Sequence, residues 1–421
     1  MKKLKKFLSY LGPGFITGAS DDDPSGIATY SQTGAAFGYS QAWTSLFSYP
    51  FMSVVQEMCG RIGMVTGKGL SGVIRHHYSA FVLYFAVLLL VIANTVNIGT
   101  DLGAMAASGQ LLFGIPFIVW LLGVTALTLL LEVFVSYKVY SKYLKFLTFS
   151  LFAYVVTVFV VKQDWSEIFV STVFPSFSLN KDYLMNIVAI LGTTISPYLF
   201  FWQAGEEVEE EVAQSKLRVM GRGVPKITNR DIRGMRIDTL VGMFFSNLVM
   251  FFIIATTAST LHANGIQNIE TAPQAADALR PLAGNLAYLL FAAGIIGTGL
   301  LAVPVLAGSA SYALSEAFGW REGLYRRFTQ AHGFYGIITI ATLFGLMINF
   351  IQIPPFKMLY YTAILNGICA PPLMILIMRI SSNQKIMGSN VNTRLSNVLG
   401  WTITAVMGLS AVVLLVSLVI G

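Results

Sequence analysis

Ser20-Asp21-Asp22-Asp23-Pro24-Ser25-Gly26 interrupts an apolar segment that runs from about Phe7 to Phe37. Three adjacent carboxylates do not belong in hydrocarbon. One charge at the centre of a bilayer costs at least ~2.5–3.5 kcal/mol. Pro24 removes a backbone donor and Gly26 loosens the chain. The flanking stretches are too short to span separately, so the segment reads as one transmembrane helix broken at mid-depth. Non-helical backbone is tolerated there only where protein buries it or where it lines a wet cavity. A broken helix that carries acids and frees carbonyls is a way to build a cation site in a transporter.

The rest of the chain fits a polytopic membrane protein. Of its 421 residues 55% are hydrophobic and only 11% charged, and its mean hydropathy is +0.69. That balance excludes a soluble domain of this length. Eleven spans are predicted, at about 7–37 (broken), 41–60, 80–108, 114–134, 143–161, 183–213 (broken), 237–259, 283–313, 333–349, 355–378 and 399–419. With the N-terminus inside, this count leaves only Lys162, Lys181, Arg280 and Lys357 of the 27 lysines and arginines on the outer side. Such a bias is what the positive-inside rule demands. It predicts a cell-membrane protein with a cytoplasmic N-terminus and an external C-terminus. The net charge of +7 then follows from the inner loops, and no nucleic-acid partner is needed. Cys59 and Cys369 fall in apolar segments and read as small core residues.

A second interruption, Leu191-Gly192-Thr193-Thr194-Ile195-Ser196-Pro197, repeats the pattern of polar residues before a proline at mid-span. Pro24 and Pro197 each open a block of five spans. Five is odd, so the two blocks are inverted in the membrane. Paired interrupted helices at matching positions point to a substrate site at the midplane. The chain is thus expected to form one all-α transport domain over 1–421. A first five-helix repeat covers 1–165, a second inverted repeat 183–380, and an extra helix 399–421. Of the other intramembrane polar groups, Asp101 must face a cavity or a partner. Asn366, before Pro371-Pro372, is a lesser candidate for the pathway. The run Glu206-Glu207-Val208-Glu209-Glu210-Glu211 reads either as a solvated helix end or as an acidic inner vestibule that attracts cations.

Several motifs resemble the NRAMP-type divalent metal transporters. Gly12-Pro13-Gly14-Phe15 followed by Asp23-Pro24-Ser25-Gly26 is similar to the first helix of that family, whose signature there is Asp-Pro-Gly-Asn. Gly60-Arg61-Ile62-Gly63-Met64-Val65-Thr66-Gly67 looks like its end of helix 2. Thr100-Asp101-Leu102-Gly103-Ala104 resembles its Thr-Asp-Leu-Ala-Glu of helix 3. Ser196-Pro197-Tyr198 falls where the family has Met-Pro-His. The resemblance covers spans 1–10 and implies a LeuT-like 5+5 inverted repeat with helices 1 and 6 broken.

The departures alter the expected chemistry. The resemblance implies metal ligands at Asp23, Gly26, Ser196 and near Thr193, where the family has Asp, Asn, Met and a carbonyl by an Ala. Thioether sulfur favours soft metals, whereas carboxylate, hydroxyl, carbonyl and water suit Mg²⁺ and Mn²⁺. Asp21 and Asp22 add charge to the same region. The set resembles the divergent NRAMP-related magnesium transporters, in which the methionine is absent. Proton-handling groups are depleted as well. The helix 3 glutamate is Ala104, and the two helix 6 histidines correspond to Tyr198 and Gln203, leaving Asp101.

The expected function is uptake of divalent cations, Mg²⁺ and Mn²⁺, by alternating access and without obligatory proton coupling. The metal is then a transported substrate, no cofactor is implied, and the partners are the ion and the bilayer, with no obligatory protein partner. The rival is a proton-coupled Mn²⁺/Fe²⁺ importer of the same fold. An amino-acid transporter would not place three acids beside its helix N-terminus. An aspartate-rich Mg²⁺-dependent membrane enzyme calls for a second deep acidic cluster where this chain has Thr193 and Ser196.

Overall fold

Both breaks are present and they meet. The computed structural model describes residues 12–135, 151–178, 180–351 and 353–420. Its longer helices are α1 (Pro13–Asp21), α2 (Pro24–Phe37), α3 (Trp43–Thr66), α4 (Leu70–His77) and α5 (Ala80–Phe113). They continue with α6 (Phe117–Phe134), α7 (Phe152–Val160), α8 (Trp165–Val173), α9 (Lys181–Thr194) and α10 (Pro197–Ala213). The last are α11 (Asn229–Thr260), α12 (Ala287–Phe318), α13 (His332–Ile348), α14 (Pro355–Ser381) and α15 (Arg394–Ile420). Among the described residues extended pairing is confined to one isolated bridge, Val219 with Arg222. Among the described residues seven helical stretches are long and apolar enough to cross a membrane, the broken Lys181–Ala213 among them. The first part of the expected fifth span, and Lys138, Lys142 and Lys145, lie outside the described residues.

The break between α1 and α2 consists of Asp22 (φ −81°, ψ 48°) and Asp23 (φ −69°, ψ 172°). The break between α9 and α10 consists of Ile195 (φ −121°, ψ 58°) and Ser196 (φ −80°, ψ 139°). In both, proline takes the first position of the next helix, where its missing N–H costs nothing. Gln41 donates to the Tyr183 carbonyl and Asn186 to Thr33, so the end of α2 shares one end of the bundle with the start of α9. The two broken helices therefore run in opposite directions, as an inverted repeat requires.

Small residues bring the helices close enough to build the site. A Cβ on Gly18 of α1 would lie 2.4 Å from the Gly242 carbonyl of α11. One on Gly192 of α9 would lie 2.0 Å from the Ala363 carbonyl of α14. Such contacts are how membrane helices associate without a hydrophobic driving force. Gly18→Ala is therefore expected to cost about 1–3 kcal/mol of overpacking. The check is the thermal midpoint of the purified protein, and an unchanged midpoint would contradict the close approach of α1 to α11.

One end of the bundle gathers the cations. Arg61, buried on α3, donates to Glu57 (2.9 Å), and Arg236 of α11 donates to the same carboxylate (2.7 Å). Arg61 also reaches the Asn390 carbonyl and Asn392. Asp238 accepts from the Gly12 (2.9 Å) and Gly14 (2.7 Å) amides, satisfying donors that open α1. The glutamate run of α10 belongs to this end, and of its two readings the solvated helix end does not hold. Glu206, Glu207, Glu209 and Glu211 are all buried. Glu209 accepts from the Tyr312 hydroxyl (2.6 Å), the Tyr325 amide (3.1 Å) and the Leu324 amide, fastening the segment after α12. Burial, and after it the Glu316 and Glu209 carboxylates, push Glu322 in that segment well above the ordinary carboxylate range.

Candidate functional site

The three aspartates have separate roles. Asp23 caps α2: its Oδ1 accepts from Ser25 Oγ (2.6 Å) and from the Gly26 amide (2.7 Å). Its Oδ2 has only the Tyr198 hydroxyl at 3.4 Å. Asp21 and Asp22 share the Ser246 hydroxyl of α11, which bonds Asp21 Oδ2 and lies 3.4 Å from Asp22 Oδ1. Among the described residues Asp21 Oδ1 has no hydrogen-bond partner. All three carboxylates are buried, and none is in an ion pair among the described residues. Buried charge without a counter-charge is costly, and these three carboxylates have none among the described residues.

The second break faces the first. Thr193 Oγ1, in the last turn of α9, is 3.4 Å from Ser25 Oγ. A Cβ on Gly26 would stand 3.4 Å from Thr193 Oγ1 and 3.1 Å from the Asp21 carbonyl. Gly26 thus provides room and not a side-chain ligand. Ser196 Oγ donates to the Gly192 (2.7 Å) and Thr193 (2.8 Å) carbonyls, which leaves the oxygen's lone pairs free to accept. Tyr198 donates to the Ser20 carbonyl (2.9 Å), tying α10 to the end of α1.

Of the remaining expected residues, Asp101 of α5 is within electrostatic reach of Asp23 and Tyr198. Among the described residues both of its carboxylate oxygens lack partners, as do both amide atoms of Asn97 one turn away. Gln203 is not brought to the break. It lies seven residues along α10, about 10 Å, and donates to Glu207 (2.9 Å). Asn366 is buried on α14 beside Gly367, which packs against Val188 of α9, and its side-chain nitrogen is unpartnered. Among the described residues no three His, Cys, Asp or Glu side chains converge as a preformed metal cage. The oxygen groups of Asp23, Ser25, Thr193 and Tyr198 instead lie within hydrogen-bond reach of one another at the two breaks.

Sequence reasoning missed Ser246 and Asp238. A signal was present: Asp238, Gly242 and Ser246 recur every fourth residue on one face of an otherwise apolar span. That face meets α1 along its whole length, through Gly12 and Gly14, Gly18, and Asp21 in turn.

Two antiparallel broken helices that meet at a buried acidic break have the architecture of a membrane transporter. The chain belongs to the natural resistance-associated macrophage protein-like family, whose model matches residues 14–417. It is 26% identical over 405 residues to a divalent metal cation transporter MntH of Caldanaerobacter subterraneus, covering 94% of this chain and 90% of that one. It is 25% identical over 403 residues to MntH of Klebsiella pneumoniae, covering 95% and 92%. The fold is similar to the Eremococcus coleocola manganese transporter, with a TM-score of 0.77 at 16% identity over 97% of this chain and 86% of that one. It is similar also to the nucleobase-cation-symport-1 transporter Mhp1, with a TM-score of 0.59 at 13% identity over 96% and 90%.

Proposed function

We propose that this protein takes up divalent cations, Mg²⁺ and Mn²⁺, through one oxygen-lined site at the two breaks. Asp23 is the principal anionic ligand, Thr193 and Ser196 supply hydroxyl and carbonyl oxygen, and Asp21 and Asp22 add charge. Its relatives named as divalent metal cation transporters support the substrate class. The observation that carries the narrower reading is Ser196. It stands at the N-cap of α10, where the family resemblance places a methionine, so a hydroxyl takes the place of a thioether. The cation-rich end of the bundle is the cytoplasmic one on this reading, the C-terminus is external, and residues 1–421 act as one transport unit.

Competition flux tests the ion choice. In proteoliposomes Mg²⁺ is expected to inhibit Mn²⁺ uptake at one site, with Ca²⁺ carried poorly and Cd²⁺ or Fe²⁺ no better than Mg²⁺. A strong preference for Cd²⁺ over Mg²⁺ would sink the hydrated oxygen site. It would favour the second reading, a Mn²⁺/Fe²⁺ importer, for which the manganese transporter among the structural neighbours speaks.

A further inference from the structure

The segment that joins α10 to α11 carries cations that the fold does not use. Lys216 pairs with Asp231 (2.7 Å) and Arg236 with Glu57 (2.7 Å). Arg218, Arg222, Lys226, Arg230 and Arg233 are exposed and form no ion pair among the described residues. The segment is nevertheless well tied down. Gly221 donates to the Gly67 carbonyl (2.8 Å), and Lys226 to the Lys216 carbonyl (3.1 Å). Val224, near its tip, is 84% exposed.

Placement on the helix says what these cations face. Arg230, Arg233, Ile237, Leu240 and Phe244 follow one another at spacings of three and four residues, so they form one stripe along α11. Ile237, Leu240 and Phe244 are exposed apolar side chains within a predicted membrane span, which makes the stripe lipid-facing. Arg230 and Arg233 continue it past the apolar boundary, to the depth of the headgroups. Arg230 also stands in the first turn of α11, where the helix dipole disfavours a cation, and the Asp231 carboxylate of that turn is engaged by Lys216 and Thr228.

We propose that Lys226, Arg230 and Arg233 form a docking site for the phosphate headgroup of an anionic phospholipid, with Val224 inserted among the neighbouring lipids. A general inner-loop bias sets orientation from any position in a loop. It does not require cations aligned with a lipid-facing stripe or left without carboxylate partners. Attraction of this kind acts within a Debye length of the charged surface and weakens with salt.

The test uses the full-length protein in nanodiscs of phosphatidylcholine, with and without phosphatidylglycerol, read by its thermal midpoint and by native mass spectrometry. Phosphatidylglycerol is expected to raise the midpoint, and high salt to reduce the rise. The K226Q/R230Q/R233Q variant is expected to lose most of the rise and retain fewer phosphatidylglycerol molecules, with its midpoint in pure phosphatidylcholine unchanged. R230K/R233K keeps the charge and is expected to keep the rise, which guards against a mere folding defect. An undiminished rise in the glutamine variant, or equal lipid retention, overturns the proposal. So does an equal rise of the wild type with inorganic phosphate in pure phosphatidylcholine, which would mark a free-anion site.

Discussion

Asp23→Asn is expected to abolish saturable Mg²⁺ and Mn²⁺ uptake while leaving the protein folded. Asparagine is the sharper substitution because Asp23 has two tasks. It accepts from Ser25 Oγ and the Gly26 amide to start α2, and it is proposed to present charge to the ion. Alanine removes both, and the cap alone is worth about 0.5–2 kcal/mol. Asparagine keeps an acceptor for the cap and removes only the charge. Breaking a buried charge pair by removing one partner costs roughly 3–5 kcal/mol. At 1.4 kcal/mol per tenfold, that is about a hundredfold to a few thousandfold in affinity. The measurements are concentration-dependent flux in proteoliposomes and the thermal midpoint of the same preparation. Normal transport by Asp23→Asn together with failure of Asp21→Asn would move the principal ligand to Asp21. That carboxylate has a free oxygen and is anchored from α11 by Ser246.

Voltage alone is expected to drive uptake, with no acidification of the vesicle interior as metal enters. A divalent ion gains about 4.6 kcal/mol on crossing 100 mV. At 1.4 kcal/mol per tenfold this sustains a gradient of more than a thousandfold, so no second ion is needed. A coupled carrier needs a titratable group that responds to the metal, and the expected positions hold Ala104, Tyr198 and Gln203. The structure gives two of these other tasks: Tyr198 donates to the Ser20 carbonyl, and Gln203 donates to Glu207 away from the break. Asp101 is the remaining acid near Asp23, and its oxygens are unpartnered. Simultaneous recording of metal uptake and interior pH under a clamped potential decides the matter. Acidification in fixed ratio to metal would refute uncoupled transport, and its loss in Asp101→Asn would make Asp101 the proton carrier.

The broken helices were legible in the sequence because their causes are local. Three carboxylates and a proline cannot continue a helix through hydrocarbon, and the second proline at 197 repeats the break in the other half. The division of labour among Asp21, Asp22 and Asp23 was not legible. It depends on Ser246, more than two hundred residues away, and on Tyr198 reaching the Ser20 carbonyl. The glutamate run of α10 looked like a solvated end because its neighbours in sequence are polar. Tertiary packing instead buries it and turns Glu209 toward the Tyr312 hydroxyl and the amides of Leu324 and Tyr325. Composition and spacing decide where a chain must break and which end holds its charge. Which buried oxygen is left free for an ion is decided only when distant helices, brought close by Gly18 and Gly242, satisfy the others.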